Sequence, residues 1–323
     1  MPDPRPRALH LELDAYPEDA VERLRAALDL TDGSALSGDE VGRALTEGGY
    51  GIVFVRLGVR IDAGVVAAAP SLRLVVTPTT GLDHLDMEAL RAAGIRVIGL
   101  RDAREAIGSV HATAEHTFGL LLACVRGIPA AHHDVAAGGW WRQRFLGTEL
   151  AGRTIGIVGH GRLGRRVAGY ARAFDMTVLV HDIAEASLTD LPDGVTVTDA
   201  DDLLRTADVV SLHLPLDAST RGWLDARRIA LLKAGAVVVN TARGELVDEA
   251  ALARALSEGR LGGVAVDVVA DDANWGESTG ASPLLELLPA GANLVVTPHI
   301  GGWARDAVAR TRRIVTDLVL EAL

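Results

Sequence analysis

Four groups of residues along this chain have the types and spacing to do chemistry. Thr154-Ile155-Gly156-Ile157-Val158 reads as a β-run and leads straight into Gly159-His160-Gly161-Arg162-Leu163-Gly164. Between a strand and a helix, this G-x-G-x-x-G spacing suits a pyrophosphate. Gly159 permits the tight turn, Gly161 lets backbone approach the phosphates, and Gly164 allows close helix–strand packing. The helix N-terminus adds free N–H groups and a positive dipole end. Asp182 lies 18 residues beyond Gly164, at the end of the next β-run. An acid there accepts hydrogen bonds from a ribose 2′-OH and repels a 2′-phosphate. No arginine follows between Ile183 and Leu188, so the spacing predicts NAD rather than NADP. Arg243 follows the β-run Ala236–Asn240. Ligands bind at such strand ends in α/β sheets, and a guanidinium can grip a carboxylate with two parallel bonds. His299 follows the β-run Leu294–Thr297 and Pro298, and histidine exchanges protons near neutrality. The other histidines have weaker claims: His10, His132 and His133 read as surface or loop residues, and His213 as a packing or cofactor contact rather than an acid.

The elements that must hold these groups form two series. In the first hundred residues, β-runs at Ile52–Val55, Leu72–Val76 and Ile95–Ile98 alternate with helical stretches at Asp62–Ala69 and Asp86–Ala93, the second stopped by Gly94. From Thr154 onward, β-runs at Thr154–Val158, Met176–His181, Val195–Val197, Val209–Leu212, Ala236–Asn240, Val264–Val268 and Leu294–Thr297 match one doubly wound domain. Long helical patterns at Ala112–Arg126 and Ala304–Leu323 lie between and after them. Strand–helix repetition predicts parallel sheets with helices on their faces, and a length of 323 residues predicts about two domains.

Composition narrows the function classes. With 49% hydrophobic residues, the chain can bury a sizeable core and is not expected to be disordered. A net charge of −11 without a basic cluster speaks against a nucleic-acid partner. The single cysteine, Cys124, lies in the apolar run Phe118–Val125. It reads as a small buried hydrophobe, and it excludes an internal disulfide and a cysteine-built zinc site; no metal is expected. Met1–Arg7 carries three prolines and no apolar stretch follows, so neither a signal peptide nor a membrane span is expected, and the expected location is a reducing cytoplasm.

Taken together, several blocks resemble the D-isomer-specific 2-hydroxyacid dehydrogenases. They are Thr80-Gly81-Leu82-Asp83-His84-Leu85-Asp86; Ala114-Glu115-His116-Thr117; Trp141-Arg142 through Glu149-Leu150-Ala151-Gly152-Arg153-Thr154; Val210-Ser211-Leu212-His213-Leu214-Pro215-Leu216; Val239-Asn240-Thr241-Ala242-Arg243-Gly244-Glu245-Leu246-Val247-Asp248; Val266-Asp267-Val268; and Thr297-Pro298-His299-Ile300-Gly301-Gly302. The resemblance implies a Rossmann-type cofactor domain, residues 101–297, inserted in a flavodoxin-like substrate domain, residues 1–100 and 298–323. It implies hydride transfer between NAD and a 2-keto acid/D-2-hydroxy acid pair, with Arg243 holding the carboxylate and His299 as acid/base. It also implies backbone contacts to the pyrophosphate from Arg162 and Leu163, and an adenosine border at Leu214 and Pro215 beside His213. Thr241, Ala242 and Asp267 would position the nicotinamide, with Gly301, Gly302 and Thr80 near the cofactor. Thr80 and Gly81 would offer amides to the substrate carboxylate, flanked by Arg56.

The family places a glutamate five residues after the strand aspartate to orient the histidine; here that position is Asp272, shorter by one methylene, and Asp271 and Glu277 are the other candidates. Arg101 and Arg104, after the last substrate-domain β-run, suggest a second anionic group on the substrate. The competing expectation is an apolar pocket formed by Leu57, Leu82 and Trp303. A homodimer is expected through the arm Arg126–Leu150. The alternatives are a non-catalytic NADH-sensing binding protein of the corepressor type and a phosphoglycerate dehydrogenase-like enzyme.

Overall fold

The computed structural model describes residues 4–189, 191–272 and 279–323. In chain order the elements are β1 (Arg7–His10), α1 (Glu18–Ala27), β2 (Asp29–Asp32), α2 (Gly38–Gly48), β3 (Ile52–Phe54), α3 (Ala63–Ala68), β4 (Leu74–Thr77), α4 (Met87–Ala92), β5 (Arg96–Gly99), α5 (Arg104–Ile107), α6 (Ala112–Val125) and α7 (Ile128–Ala136). Then come β6 (Thr154–Val158), α8 (Arg162–Ala173), β7 (Thr177–His181), β8 (Val195–Val197), α9 (Ala200–Thr206), β9 (Val209–Leu212), α10 (Ala226–Leu231), β10 (Val237–Asn240), α11 (Glu249–Ser257), β11 (Gly263–Val266), β12 (Leu294–Val296) and α12 (Arg305–Ala322).

One unit comprises the residues up to Val110 together with Trp303–Leu323. Its five strands are parallel and ordered β2-β1-β3-β4-β5, the flavodoxin-like order. The apolar pattern predicts no strand before Ile52. β1 has only two apolar residues between Arg7 and His10, and β2 is an edge strand bounded by Asp29 and Asp32, so neither gives a strong apolar run. The expectation for His10 is corrected here. It lies fully buried on an interior strand, stacked on Phe54 at 4.4 Å between ring centroids and edge-on to Tyr16 at 4.3 Å. His132 and His133 are exposed, on α7.

The second unit comprises His111–Asp272 and Thr279–Gly302. Its seven parallel strands run β12-β11-β10-β9-β6-β7-β8, the Rossmann order extended by one strand. Ile155, Ile157, Val178, Val180, Val209 and Val239 pack with Phe118 and Leu121 of α6 in its core. Each such side chain contributes roughly 1.5–3 kcal/mol on burial. Cys124 belongs to this core, and burial pushes its thiol up to about 12.

The first unit runs to Val110, about ten residues past the expected 100, and resumes at Trp303, about five past the expected 298. Leu100 and Ile107 are buried in the first unit, and the Asp102 carboxylate accepts the Gly99 N–H at 2.9 Å, which folds the segment after β5 back onto that unit. At the other end, Ile300 and Gly301 are bonded to Asp267 of the second unit.

Candidate active site

All strands of the second unit are parallel, so every loop that follows a strand leaves the same edge of the sheet. The glycine-rich turn follows β6, Asp182 follows β7 and His213 follows β9. Arg243, Asp272 and His299 follow β10, β11 and β12, three neighbouring strands about 4.8 Å apart. Sequence order and sheet order together bring these six groups to one rim.

The turn after β6 requires glycine at 159 and 164. Gly159 has φ +91°, and a Cβ on it would lie 2.6 Å from the His213 carbonyl oxygen; a Cβ on Gly164 would lie 2.0 Å from the Gly159 carbonyl oxygen. A Cβ on Gly161 would meet nothing within 4 Å, so the space before the helix N-terminus is open to a phosphate. Arg162 and Leu163 open α8 there. Burial, with Arg166 nearby, pulls the Arg162 guanidinium below its usual range. Asp182 accepts the backbone N–H of His160 at 2.7 Å and of Ala184 at 2.8 Å. Its carboxylate is thereby fixed beside the turn, with lone pairs left for a diol. Open turn, helix end and fixed acid fit a dinucleotide.

Beside this turn, His213 Nε2 lies 2.9 Å from Ser211 Oγ, and burial pushes the ring down to about 4. It is neutral at physiological pH, a packing group rather than an acid. Leu214 is partly buried with its Cδ2 against the Gly159 turn, and Pro215, exposed, accepts a hydrogen bond from the Thr220 hydroxyl at 2.6 Å.

The arginine turn is shaped by a buried residue that sequence reasoning passed over. Asn240 Oδ1 accepts the Ala242 N–H at 3.0 Å, while its Nδ2 donates to the Arg243 carbonyl at 2.8 Å. Thr241 is tied to Thr117 at 2.7 Å between hydroxyls, and the Arg243 guanidinium donates to the Ala242 carbonyl at 2.7 Å. A Cβ on Gly244 would lie 1.9 Å from the Val269 carbonyl carbon. Only glycine lets the arginine turn press against the segment after β11.

That segment carries the acid. Asp272 Oδ2 lies 3.0 Å from His299 Nδ1, a close polar contact whose alignment falls short of a formed hydrogen bond. Asp272 is thus beside the imidazole; Asp271 is in a left-handed conformation with φ +65°, and Glu277 lies outside the described residues. His299 is itself left-handed, at φ +54°, a conformation that costs a non-glycine residue about 1–2 kcal/mol. Asp267 holds it there. The His299 N–H donates to the Asp267 carbonyl at 2.8 Å, and the Asp267 carboxylate accepts from Thr297 Oγ1 (2.6 Å), Ile300 N (2.8 Å) and Gly301 N (2.6 Å). His116 Nε2 lies 3.3 Å away. Burial opposes ionisation of Asp267, but the donors from His116, Thr297, Ile300 and Gly301 outweigh it and hold the carboxyl below the usual range. The carboxylate expected near a nicotinamide is thus a buried anchor for the histidine loop, which leaves Gly302 exposed.

The remaining expected residues belong to the first unit. Arg56 donates to the carbonyls of Leu11 (2.5 Å), Ser34 (3.2 Å) and Leu36 (3.1 Å), tying three loops at the strand ends. Thr80 is exposed, and Gly81 accepts the Thr79 hydroxyl at 2.7 Å. Arg101 and Arg104 are exposed and alternate with Asp102 and Glu105 around a shallow hollow. Among the described residues no cluster of metal-binding side chains occurs, and no helix is long and apolar enough to cross a membrane.

The family model described as the NAD-binding domain of D-isomer-specific 2-hydroxyacid dehydrogenases matches residues 118–301. A D-3-phosphoglycerate dehydrogenase of Mycobacterium bovis is 40% identical over 273 residues, which cover 84% of this chain and 49% of that protein. A hydroxypyruvate reductase of Thermotoga maritima is 34% identical over 284 residues, covering 88% of this chain and 87% of that one. The crystal structure of a D-lactate dehydrogenase of Aquifex aeolicus complexed with NAD and lactic acid superposes with a TM-score of 0.79 at 28% identity, covering 97% of this chain and 94% of that one. The chain spans about half the length of the phosphoglycerate dehydrogenases it matches.

Proposed function

From the premise that the chain belongs to the D-isomer-specific 2-hydroxyacid dehydrogenase family, we propose that it is an NAD-dependent enzyme interconverting a 2-keto acid and a D-2-hydroxy acid. The observation that carries this reading is the convergence of Arg243, Asp272 and His299 on three neighbouring strand ends, with Asp272 at 3.0 Å from His299 Nδ1. Gly159, Gly161, Arg162, Leu163 and Asp182 would hold the dinucleotide, which when bound supplies the two-electron exchange with substrate C2. Arg243 grips the substrate carboxylate and polarises the C2 oxygen. Because Nδ1 faces Asp272, Nε2 is the nitrogen left for that oxygen. His299 takes the hydroxyl proton there in oxidation and returns it in reduction, and Asp272 offsets the charge on the imidazolium between the two. This pair favours an enzyme over a non-catalytic NADH sensor, since sensing has no use for an acid beside an imidazole.

The substrate we assign is a small 2-keto or 2-hydroxy acid carrying a second anionic group. The likeness to phosphoglycerate dehydrogenases and the exposed Arg101 and Arg104 support it. We place the enzyme in the cytoplasm as a homodimer through the arm Arg126–Leu150, where Trp140 is 89% and Leu146 96% exposed. The test is NADH consumption with a panel of 2-keto acids, including an apolar and a dianionic compound of matched length. Turnover that Arg243→Ala abolishes is expected. A wild-type protein that binds NADH and reduces none of the panel would instead restore the sensor reading, and a preference for the apolar compound unaltered by Arg101→Ala or Arg104→Ala would remove the second anion.

A further inference from the structure

We infer that Glu249 is a positioning residue for the acid–base pair, an inference that rests on the reading of Asp272 and His299 just given. Glu249 is the first residue of α11 and follows the N-cap Asp248, whose carboxylate accepts the Ala251 N–H at 2.9 Å. An acid at the first turn of a helix is ordinarily solvated and gains a modest benefit from the helix dipole. Glu249 is instead only 8% exposed. Its Oε1 accepts the Ala270 N–H at 2.6 Å, and its Oε2 accepts the Ser282 hydroxyl at 2.8 Å. Ser282 in turn accepts the Leu284 N–H at 3.2 Å.

One buried carboxylate therefore clamps the chain on both sides of the stretch that includes Asp272. Burying a charge is costly unless both oxygens are satisfied, which is the arrangement here. The anchored Ala270 immediately precedes left-handed Asp271, which immediately precedes Asp272, whose N–H donates to the Val269 carbonyl at 3.2 Å. The Gly244 contact presses the same segment from the arginine side. Asp272 is one methylene shorter than the glutamate that the family places at this position. Its reach falls by about 1.5 Å, and the backbone must be held close to His299 for a 3.0 Å contact. With so short a side chain, a small backbone drift is not absorbed by rotamers, and misplacement by about 1 Å can cost 10²-fold in rate.

The experiment is a double-mutant cycle between Glu249 and Asp272, read as kcat, KM for keto acid and NADH, and Tm. Glu249→Ala is expected to lower kcat by about tenfold or more with KM for NADH unchanged. Glu249→Gln, which keeps an acceptor for Ala270, is expected to recover most of that loss. In an Asp272→Asn background, Glu249→Ala should add less than about twofold, because the group it positions no longer acts. Should Glu249→Ala fail to fold, Ser282→Ala removes one of the two anchors and is expected to lower kcat by about threefold with the same dependence on Asp272. A folded Glu249→Ala enzyme with wild-type kcat, or an equal loss in both backgrounds, overturns the inference and leaves Glu249 a purely structural group. If Asp272→Asn itself keeps wild-type kcat, it is the reading of the acid–base pair that fails, and the inference falls with it.

Discussion

The two units each bury a carboxylate, and they treat it in opposite ways. In the Rossmann-type unit, Asp267 is 1% exposed and its carboxylate meets two backbone N–H groups, a hydroxyl and an imidazole, which hold its carboxyl below the usual range against the effect of burial. In the flavodoxin-like unit, Glu12 is 7% exposed and pairs with Arg312 at 2.5 Å. Burial there raises the Glu12 pKa, and Arg312 beside it does not compensate. Glu12 Oε2, His10 Nε2, Tyr16 Oη, Arg312 Nε and Thr316 Oγ1 take no hydrogen-bond partner among the described residues. A carboxylate surrounded by several hydrogen-bond donors is a rigid hub. A carboxylate facing one guanidinium among buried polar atoms that lack partners is a pair whose desolvation cost rivals its attraction. The first arrangement fixes the His299 loop; the second joins α12 to the end of β1 and is expected to tolerate replacement by apolar groups.

Breaking the first arrangement at its tip has the largest expected effect. His299→Ala should lower turnover by roughly 10²–10⁴, the usual contribution of acid–base catalysis, with NADH binding retained. Titration of NADH fluorescence alongside steady-state kinetics checks both halves. Near-native turnover would detach the Asp267 hub from catalysis.

The second arrangement is sharpened by comparing removal of one partner with removal of both. Arg312→Met leaves Glu12 buried without its cation and is expected to cost about 3–5 kcal/mol. Glu12→Leu with Arg312→Met replaces the pair by apolar groups and is expected to lie within about 1 kcal/mol of wild type, or above it. Urea unfolding measures both. If the double variant loses as much as the single one, the pair is an anchor like Asp267 and the contrast between the units collapses.

How much of this was legible beforehand follows from the range over which each signal acts. The strand-to-turn-to-helix at Thr154–Gly164 and the acid after the next strand are local patterns, and each sits where the reading placed it. Arg243 and His299 stand out in the sequence because each follows a β-run, where α/β sheets bind ligands, and because each falls in a block that resembles the family. Arg312 and Glu12 are 300 residues apart, and nothing near either residue announces the other. Glu249 carries a local signal that misleads, since an acid after an N-cap is common for reasons of helix chemistry alone. His10 reads as a surface or loop residue because its four-residue strand carries only two apolar residues; its burial comes from the strands paired on either side.

A pH titration of stability separates the units further. Burial pushes His10 down to about 3, with Asp32 opposing and Arg312 assisting. In the unfolded chain a histidine titrates near 6.5. Between those values the unfolded state takes a proton that the folded state refuses. Stability is therefore full above pH 6.5 and falls as pH drops toward 3, by up to about 1.4 kcal/mol per pH unit. His213, pushed down to about 4, acts in the same direction in the other unit, and Glu12, with its raised pKa, acts oppositely. The informative quantity is thus the difference between wild type and His10→Gln. The variant should show a shallower loss of stability between pH 6.5 and 4. Parallel curves would mean that His10 takes up its proton as readily in the folded protein as in the unfolded chain.

The smallest effect is expected at Asp182, where the comparison moves from buried carboxylates to a half-exposed one. Asp182 is fixed by two backbone N–H groups rather than by a cation, so its negative charge remains available to meet a ligand. A ribose diol donates to it, whereas a 2′-phosphate is repelled by it. NADH should be used at least tenfold better than NADPH in kcat/KM, about 1.4 kcal/mol. Asp182→Asn should narrow that ratio by raising NADPH use more than it lowers NADH use, since the amide removes the repulsion and keeps one acceptor. The turn itself should survive, because Asn Oδ1 can still accept the His160 N–H. A ratio unchanged in Asp182→Asn would move cofactor choice to another residue on the same rim. A wild-type enzyme indifferent to the 2′-phosphate would mean that a carboxylate held by backbone alone does not discriminate there.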